Sequence, residues 1–131
     1  LVEIQVAGLA ATAARTEAIA AMRATLAEGE AAIDNNDARA LVVMDEAFHV
    51  AVATASGNRT LAKMVVTLHH QTARYWLQAM QAPSRSESIK ALEEHGALAD
   101  ALASRDPAKA RAVMQIVLGD FPDDVKRSLG S

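Results

Sequence analysis

The side chains best suited to chemistry are the four histidines and the charged residues near them. Asp45 and His49 are four residues apart, so on a helix they share one face, with their Cβ atoms about 6 Å apart. A carboxylate and an imidazole at this spacing can chelate one metal ion, or they can form a simple hydrogen bond at the edge of a core. The spacing by itself favours the hydrogen bond.

The remaining histidines are weaker candidates. His95 has apolar neighbours at helical spacing, so we expect it to be partly buried. His69 and His70 are adjacent, so on a helix they point about 100° apart and at most one can face the interior. A surface or core-edge position is expected for both. Arg74 lies one turn after His70, and an inward arginine there would hold a carboxylate through two hydrogen bonds, although a surface position is commoner.

The composition predicts the scaffold that must position these residues. The chain is 51% hydrophobic but only 3% aromatic, and its apolar residues are mostly Ala, Leu and Val. Alanine at this density favours helices, and no sustained alternation of apolar and polar residues indicates strands. We therefore expect an all-α protein, and 131 residues suit one domain.

Charge and cysteine content exclude several classes of protein. The net charge is −3, and the 13 basic residues are scattered along the chain, whereas a nucleic-acid-binding domain usually carries a basic face. Direct binding to DNA is therefore not expected. There is no cysteine, which fits a cytoplasmic protein without disulfides or thiolate metal sites. We see no signal peptide and no apolar run long enough to cross a bilayer.

Short polar breaks divide the chain into helices. Asp37, Asn58 and Asp106 are typical N-caps, Thr16 is a further candidate, and Ser84 with Glu87 forms a capping-box pattern. Gly57 and Pro107 occupy typical positions just after and just inside a helix. Because the connections are short, we predict an antiparallel bundle of six to seven helices. The predicted helices are 1–14, 17–33, 38–55, 59–81, 85–104 and 107–118, with a short tail helix at 122–129.

Several separated segments, taken together, resemble the FCD domain, the C-terminal effector-binding domain of FadR-type GntR transcription regulators. The resemblance covers nearly the whole chain and is carried by Asp45-x-x-Phe48-His49, Ala55-Ser56-Gly57-Asn58-x-x-Leu61, Glu94-His95 and Ala101-Leu102-Ala103-Ser104-Arg105-Asp106.

The resemblance implies a sensory role. Members of the family are antiparallel helical bundles that usually dimerise and bind a small metabolite, often a carboxylic acid. It implies that residues 1–131 form an effector-binding and dimerisation domain, and that DNA is bound only through an N-terminal winged helix-turn-helix domain absent from this chain. It also implies a bacterial, cytoplasmic regulator that is not an enzyme and does not contact a membrane.

Many members of the family hold a divalent ion with one Asp and three His. The resemblance matches Asp45, His49 and His95 to three of these ligands, whereas Val117 stands where the fourth histidine is expected. Three alternatives follow. The site holds an ion of the Zn, Ni or Mn type weakly, or it has lost the metal and the two histidines hold the effector directly, or Asp120 replaces the missing ligand.

The favoured hypothesis is a sensory domain for a small carboxylate, contacted by His49 and His95, with His70 and Arg74 as further candidates. A dimerisation module with a degenerate pocket is the alternative. A metal-dependent hydrolase, in which Asp and His side chains on facing helices activate water, is less favoured.

Overall fold

A computed structural model describes residues 2–79 and 83–119, apart from the side chains of 75–79. These residues form six helices and no strand, which confirms the all-α prediction. The predicted tail helix at 122–129 and Asp120 lie outside the described residues. The helices are α1 (Val2–Ala13), α2 (Thr16–Asp34), α3 (Ala38–Ala55), α4 (Arg59–Ala79), α5 (Arg85–Ala103) and α6 (Pro107–Leu118).

Most helices begin where the capping residues predict. Asp37 accepts a hydrogen bond from the backbone of α3 and Asp106 from that of α6, where Pro107 takes the first position. Ser84 and Glu87 form both bonds of a capping box at the start of α5. Each such bond satisfies a backbone N–H that has no partner within the helix. Local side-chain chemistry therefore determines where α3, α5 and α6 begin.

Helix α2 begins without a side-chain cap. The prediction of Thr16 as an N-cap is wrong, because Thr16 is the first residue of α2 and Arg15 occupies the cap position without a side-chain hydrogen bond. An arginine has no acceptor to offer there. At the end of α3, Gly57 adopts a φ of 75°, which a residue with a side chain rarely does. Asn58 then caps α4 by accepting from the backbone N–H of Leu61 at 3.0 Å.

Helix α1 occupies the centre of the bundle. It packs against α3, α4, α5 and α6, while α2 packs against α3 and α5. Small side chains let the neighbouring helices approach α1 closely. Its inner face continues to the N-terminal end of the helix, where Glu3 is only 3% exposed. The apolar residues of that face are Val6, Ala7, Ala10 and Ala11.

The core extends from α1 to α3 and α5. Phe48 is fully buried at its middle, together with Leu98 and Leu102 of α5. Gly29 marks a close approach of α2, because an added Cβ would lie 2.8 Å from the Met44 side chain. None of the helices, over the part of the chain that the structure describes, is both long and apolar enough to cross a membrane.

Candidate metal and effector site

Asp45, His49 and His95 lie together, although they come from two helices. Asp45 and His49 are one turn apart on α3, and His95 is on α5. The Oδ1 atom of Asp45 lies 2.7 Å from Nε2 of His95 and 3.5 Å from Nε2 of His49. The histidine side chains are 7% and 3% exposed, whereas that of Asp45 is 39% exposed. We call this group of three side chains the Asp45 face.

The hydrogen bonds behind the two histidines orient their rings. Nδ1–H of His95 donates to the carbonyl oxygen of Ala91 at 2.6 Å. Nδ1–H of His49 donates to Oε1 of Glu3 at 2.8 Å. A carbonyl or a carboxylate oxygen accepts the Nδ1 proton in each case, so both rings direct Nε2 towards Asp45. A histidine that ligates a metal usually has its other ring N–H held in this way.

The ring geometry on the Asp45 face fits one divalent ion. An imidazole binds a metal through a lone pair that lies in the ring plane, so two rings can share an ion only where their planes meet. The rings of His49 and His95 are 5.2 Å apart at an angle of 85°, and the three donor atoms lie within 4.8 Å of one another. Nitrogen and carboxylate donors suit zinc, nickel and manganese.

A second group of side chains meets His49 from the opposite side. Oε1 of Glu3 lies 2.8 Å from Nδ1 of His49 and 2.7 Å from Nε2 of His69. These side chains, from α1, α3 and α4, are each less than 5% exposed. We call this group the Glu3 face. His49 belongs to both faces and joins them.

The charges of the two faces stabilise each other. Burial alone would raise the pKa of Glu3, but the charges and hydrogen bonds of His49 and His69 outweigh it and lower that pKa to about 2. Burial alone would lower the pKa of His49, but Asp45 and Glu3 outweigh it and raise that pKa to about 10. In the same way, His49 and His95 hold the pKa of Asp45 well below its usual range. His49 is therefore a cation between two carboxylates when no metal ligates it.

Phe48 forms an apolar wall beside both candidate ligands. Its ring makes edge contacts with the rings of His49 and His95, with centroids 5.8 Å and 4.9 Å away. Because Phe48 is fully buried, it limits the movement of both rings and excludes water from their inner edges.

Sequence reasoning missed Glu3 and misjudged His69. The expected surface or core-edge position for His69 is wrong, because that residue is 2% exposed. It lies on the same buried face of α4 as Val65 and Thr72. The spacing of positions 65, 69 and 72 is typical of one helix face and indicates that His69 is buried. Glu3 occupies the same kind of position on α1, four residues before buried Ala7. The expected partial burial of His95 is exceeded, since it is 5% exposed.

The other predicted site residues lie elsewhere. His70 is exposed on α4, where its Nε2 pairs with Oε1 of Glu46 at 2.6 Å. Arg74 is also exposed on α4, and the assignment of both to effector binding stays a prediction. Val117 is 6% exposed in the apolar core of α6. Asp120, the proposed substitute ligand, is outside the described residues.

The chain belongs to the FCD domain family, which matches residues 1–120. This confirms the resemblance seen in the sequence and identifies an effector-binding domain of the GntR type. The family points to a regulatory rather than a catalytic role, and some of its members bind metals.

A solved structure shows the same fold. The GntR-family regulator McbR/YncC of E. coli superposes with a TM-score of 0.78 over 90% of this chain, at 18% sequence identity. This chain spans 59% of the length of that one. At this identity the likeness shows the fold alone. Among curated proteins, no relative matches this chain at a significant level.

Proposed function

We propose that this domain senses a small organic acid and transmits its binding to an N-terminal winged helix-turn-helix domain of the same regulator. The observation that carries the proposal is the Asp45 face, a set of polar ligands inside an apolar bundle with one member open to solvent. His49 and His95 are almost fully buried, while Asp45 is 39% exposed. A small ligand arriving from solvent would meet Asp45 first and the two Nε2 atoms behind it.

The charge of the Asp45 face favours the metal-bound alternative. A carboxylate effector would be repelled by Asp45 unless a cation lay between them. Asp45, His49 and His95 would hold a divalent ion, which would supply positive charge and open coordination positions for the effector. Three protein ligands instead of four predict weak binding of the ion, and a carboxylate would then complete its coordination.

The regulatory step in this proposal is a shift between two arrangements of a homodimer. An effector changes that equilibrium only by the difference between its affinities for the two arrangements. In the proposed regulator, DNA is contacted through the N-terminal domain, and this bundle supplies the effector site and the dimer contact.

Val117 supports a second candidate, a dimerisation module without a ligand. Its apolar side chain cannot coordinate an ion, so the family's fourth metal ligand is missing. On this reading the histidines only pack against one another and against the two carboxylates.

Isothermal titration calorimetry distinguishes these candidates. Metal-free protein would be titrated with zinc, nickel and manganese, and then with a panel of small carboxylates before and after metal loading. We expect metal binding, and carboxylate binding to the loaded protein only. His95→Ala should weaken metal binding by roughly tenfold or more, about 1.4 kcal/mol.

Ser84→Ala is the matched control, because it removes a helix cap on the same α5 and costs about 1 kcal/mol of stability without touching the Asp45 face. It should bind metal and carboxylates like the wild type. Binding of neither metal nor carboxylate by the wild-type protein would instead support the dimerisation module.

A further inference from the structure

We propose that Glu3 and His69 are positioning residues, which hold His49 so that its Nε2 atom serves the Asp45 face. The affinity of the Asp45 face for a metal would then depend on a carboxylate that never contacts the ion. The predicted effect on metal affinity rests on the proposed function, whereas the predicted position of the proton on the His49 ring does not.

The Glu3 face is unsuited to binding a metal itself. Its two rings, those of His49 and His69, are stacked with centroids 4.3 Å apart and an angle of only 19° between their planes. Two planes that are stacked and tilted by only 19° meet well beyond the ring nitrogens, so the in-plane lone pairs of both rings cannot point at one ion. Two N–H groups pointing at one oxygen of Glu3 form hydrogen bonds instead.

The bond to Glu3 selects which nitrogen of His49 is a ligand. A neutral imidazole carries one N–H and one lone pair. The carboxylate of Glu3, 2.8 Å from Nδ1, retains the proton on that atom because a carboxylate can only accept. The lone pair is then on Nε2, which faces Asp45. A carboxylate behind a metal-bound histidine also makes the ring a stronger base and a better ligand.

His69 in turn holds Glu3. Its Nε2–H donates to the same Oε1 atom at 2.7 Å, and its ring covers one side of the His49 ring. The hydrogen bond fixes the carboxylate of Glu3 and the stack restricts rotation of His49. Helices α1 and α4 therefore contribute to a site whose ligands all come from α3 and α5.

The test combines zinc affinity with the state of the His49 ring. Zinc affinity would be measured by competition with a chelator for the wild type, Glu3→Ala, Glu3→Gln and His69→Ala. We expect Glu3→Ala to weaken binding by about 10- to 100-fold. Glu3→Gln should lose less, because its amide oxygen can still accept the Nδ1–H bond. His69→Ala should lie between the wild type and Glu3→Ala.

Nitrogen-15 NMR of the histidine rings supplies the readout that general destabilisation would not produce. In the wild type we expect the His49 Nδ1–H signal to be protected and shifted to low field, in both metal-free and zinc-loaded protein. Glu3→Ala should remove that signal or let it exchange with solvent, while Glu3→Gln should retain it. Ser84→Ala, which lies outside both faces, should match the wild type in affinity and in spectrum.

Failure of this inference can be told from failure of the proposed function. If the wild type bound no zinc, the metal-binding part of the proposal would be overturned, yet the metal-free spectra would still test the positioning of His49. If Glu3→Ala bound zinc as tightly as the wild type and kept the same His49 signal, the positioning role would be wrong. Should Glu3→Ala fail to fold, Glu3→Gln and His69→Ala answer the same question.

Discussion

The Asp45 face and the Glu3 face contain the same residue types but differ in geometry and access. Each has one carboxylate and two histidines, and they share His49. On the Asp45 face the two rings are nearly perpendicular and the carboxylate is 39% exposed. On the Glu3 face the rings are stacked and the carboxylate is 4% exposed. The arrangement of the Asp45 face suits a ligand that enters from solvent, whereas the buried Glu3 face is suited to holding the His49 ring in place.

This difference assigns ligand binding to the Asp45 face and stabilisation of the fold to the Glu3 face. A buried charge is costly to leave without its partner, whereas water can replace a lost partner at a solvent-exposed position. The closed Glu3 face should therefore contribute more to folding than the open Asp45 face.

The largest expected effect is on the stability of the metal-free protein. Glu3→Ala removes the acceptor from the buried ring nitrogens of His49 and His69 and should cost about 3 kcal/mol. Asp45→Ala removes a side chain that is 39% exposed, so water can enter its place and hydrate the Nε2 atoms of His49 and His95, and the loss should be only about 1 kcal/mol. Urea unfolding in the presence of a chelator measures both. Equal losses, or a larger loss for Asp45→Ala, would contradict the division of roles between the two faces.

The helices and the pairing of Asp45 with His49 could be predicted from the sequence because they depend on short-range features. Ser84 and Glu87 of the capping box are three positions apart, and Asp45 and His49 are one helical turn apart. The pairing of Asp45 with His95 needed the family resemblance, because nothing local connects residues 50 positions apart.

The Glu3 face could not be predicted in the same way. Glu3 meets His49 and His69 across 46 and 66 residues, so their contact depends on how three helices pack. The sequence does contain a partial signal, since each polar residue interrupts an apolar stripe of its helix. Such a position indicates burial, but it does not identify the partner, and only the packing of α1 against α3 and α4 supplies that.

The next largest effect should come from restoring the family's fourth metal ligand. If the resemblance places Val117 correctly, Val117→His should tighten zinc binding by roughly tenfold or more, about 1.4 kcal/mol. The metal-free variant should be less stable than the wild type, because it buries a polar ring in the apolar core of α6. Ile116→His, at a neighbouring position that is 57% exposed, is the control and should leave zinc affinity unchanged.

An unchanged zinc affinity in Val117→His would show that α6 does not reach the Asp45 face in this protein. It would also direct attention to other sources of a fourth ligand, with Asp120 as the first candidate. Calorimetry with zinc on both variants therefore tests how far the family's arrangement extends into this chain.

The last prediction involves both faces and concerns the pH dependence of the stability of the metal-free protein. His49 is faced by Glu3, Asp45, His69 and His95, so several charges contribute. The pKa of Glu3 is lowered from 4.5 to about 2, because its histidine partners outweigh the effect of burial. The ionised carboxylate of Glu3 therefore stabilises the folded protein fully above pH 4.5, and this contribution is lost as the pH falls towards 2.

The pKa of His49 is raised from 6.5 to about 10, because its carboxylate partners outweigh burial. The protonated ring of His49 therefore stabilises the folded protein fully below pH 6.5, and this contribution is lost as the pH rises towards 10. The thermal midpoint of the metal-free protein should thus be highest between pH 4.5 and 6.5 and fall on both sides, by about 4 °C for each kcal/mol lost.

Glu3→Gln should make both slopes shallower without abolishing either, since Asp45 still faces His49. Scanning calorimetry across this pH range, with a chelator present, measures the two slopes. An alkaline slope that is as steep in Glu3→Gln as in the wild type would mean that Asp45 alone holds the proton on His49. The Glu3 face would then contribute negligibly to the charge of His49, and the Glu3 and Asp45 faces would be coupled only through the packing of their rings.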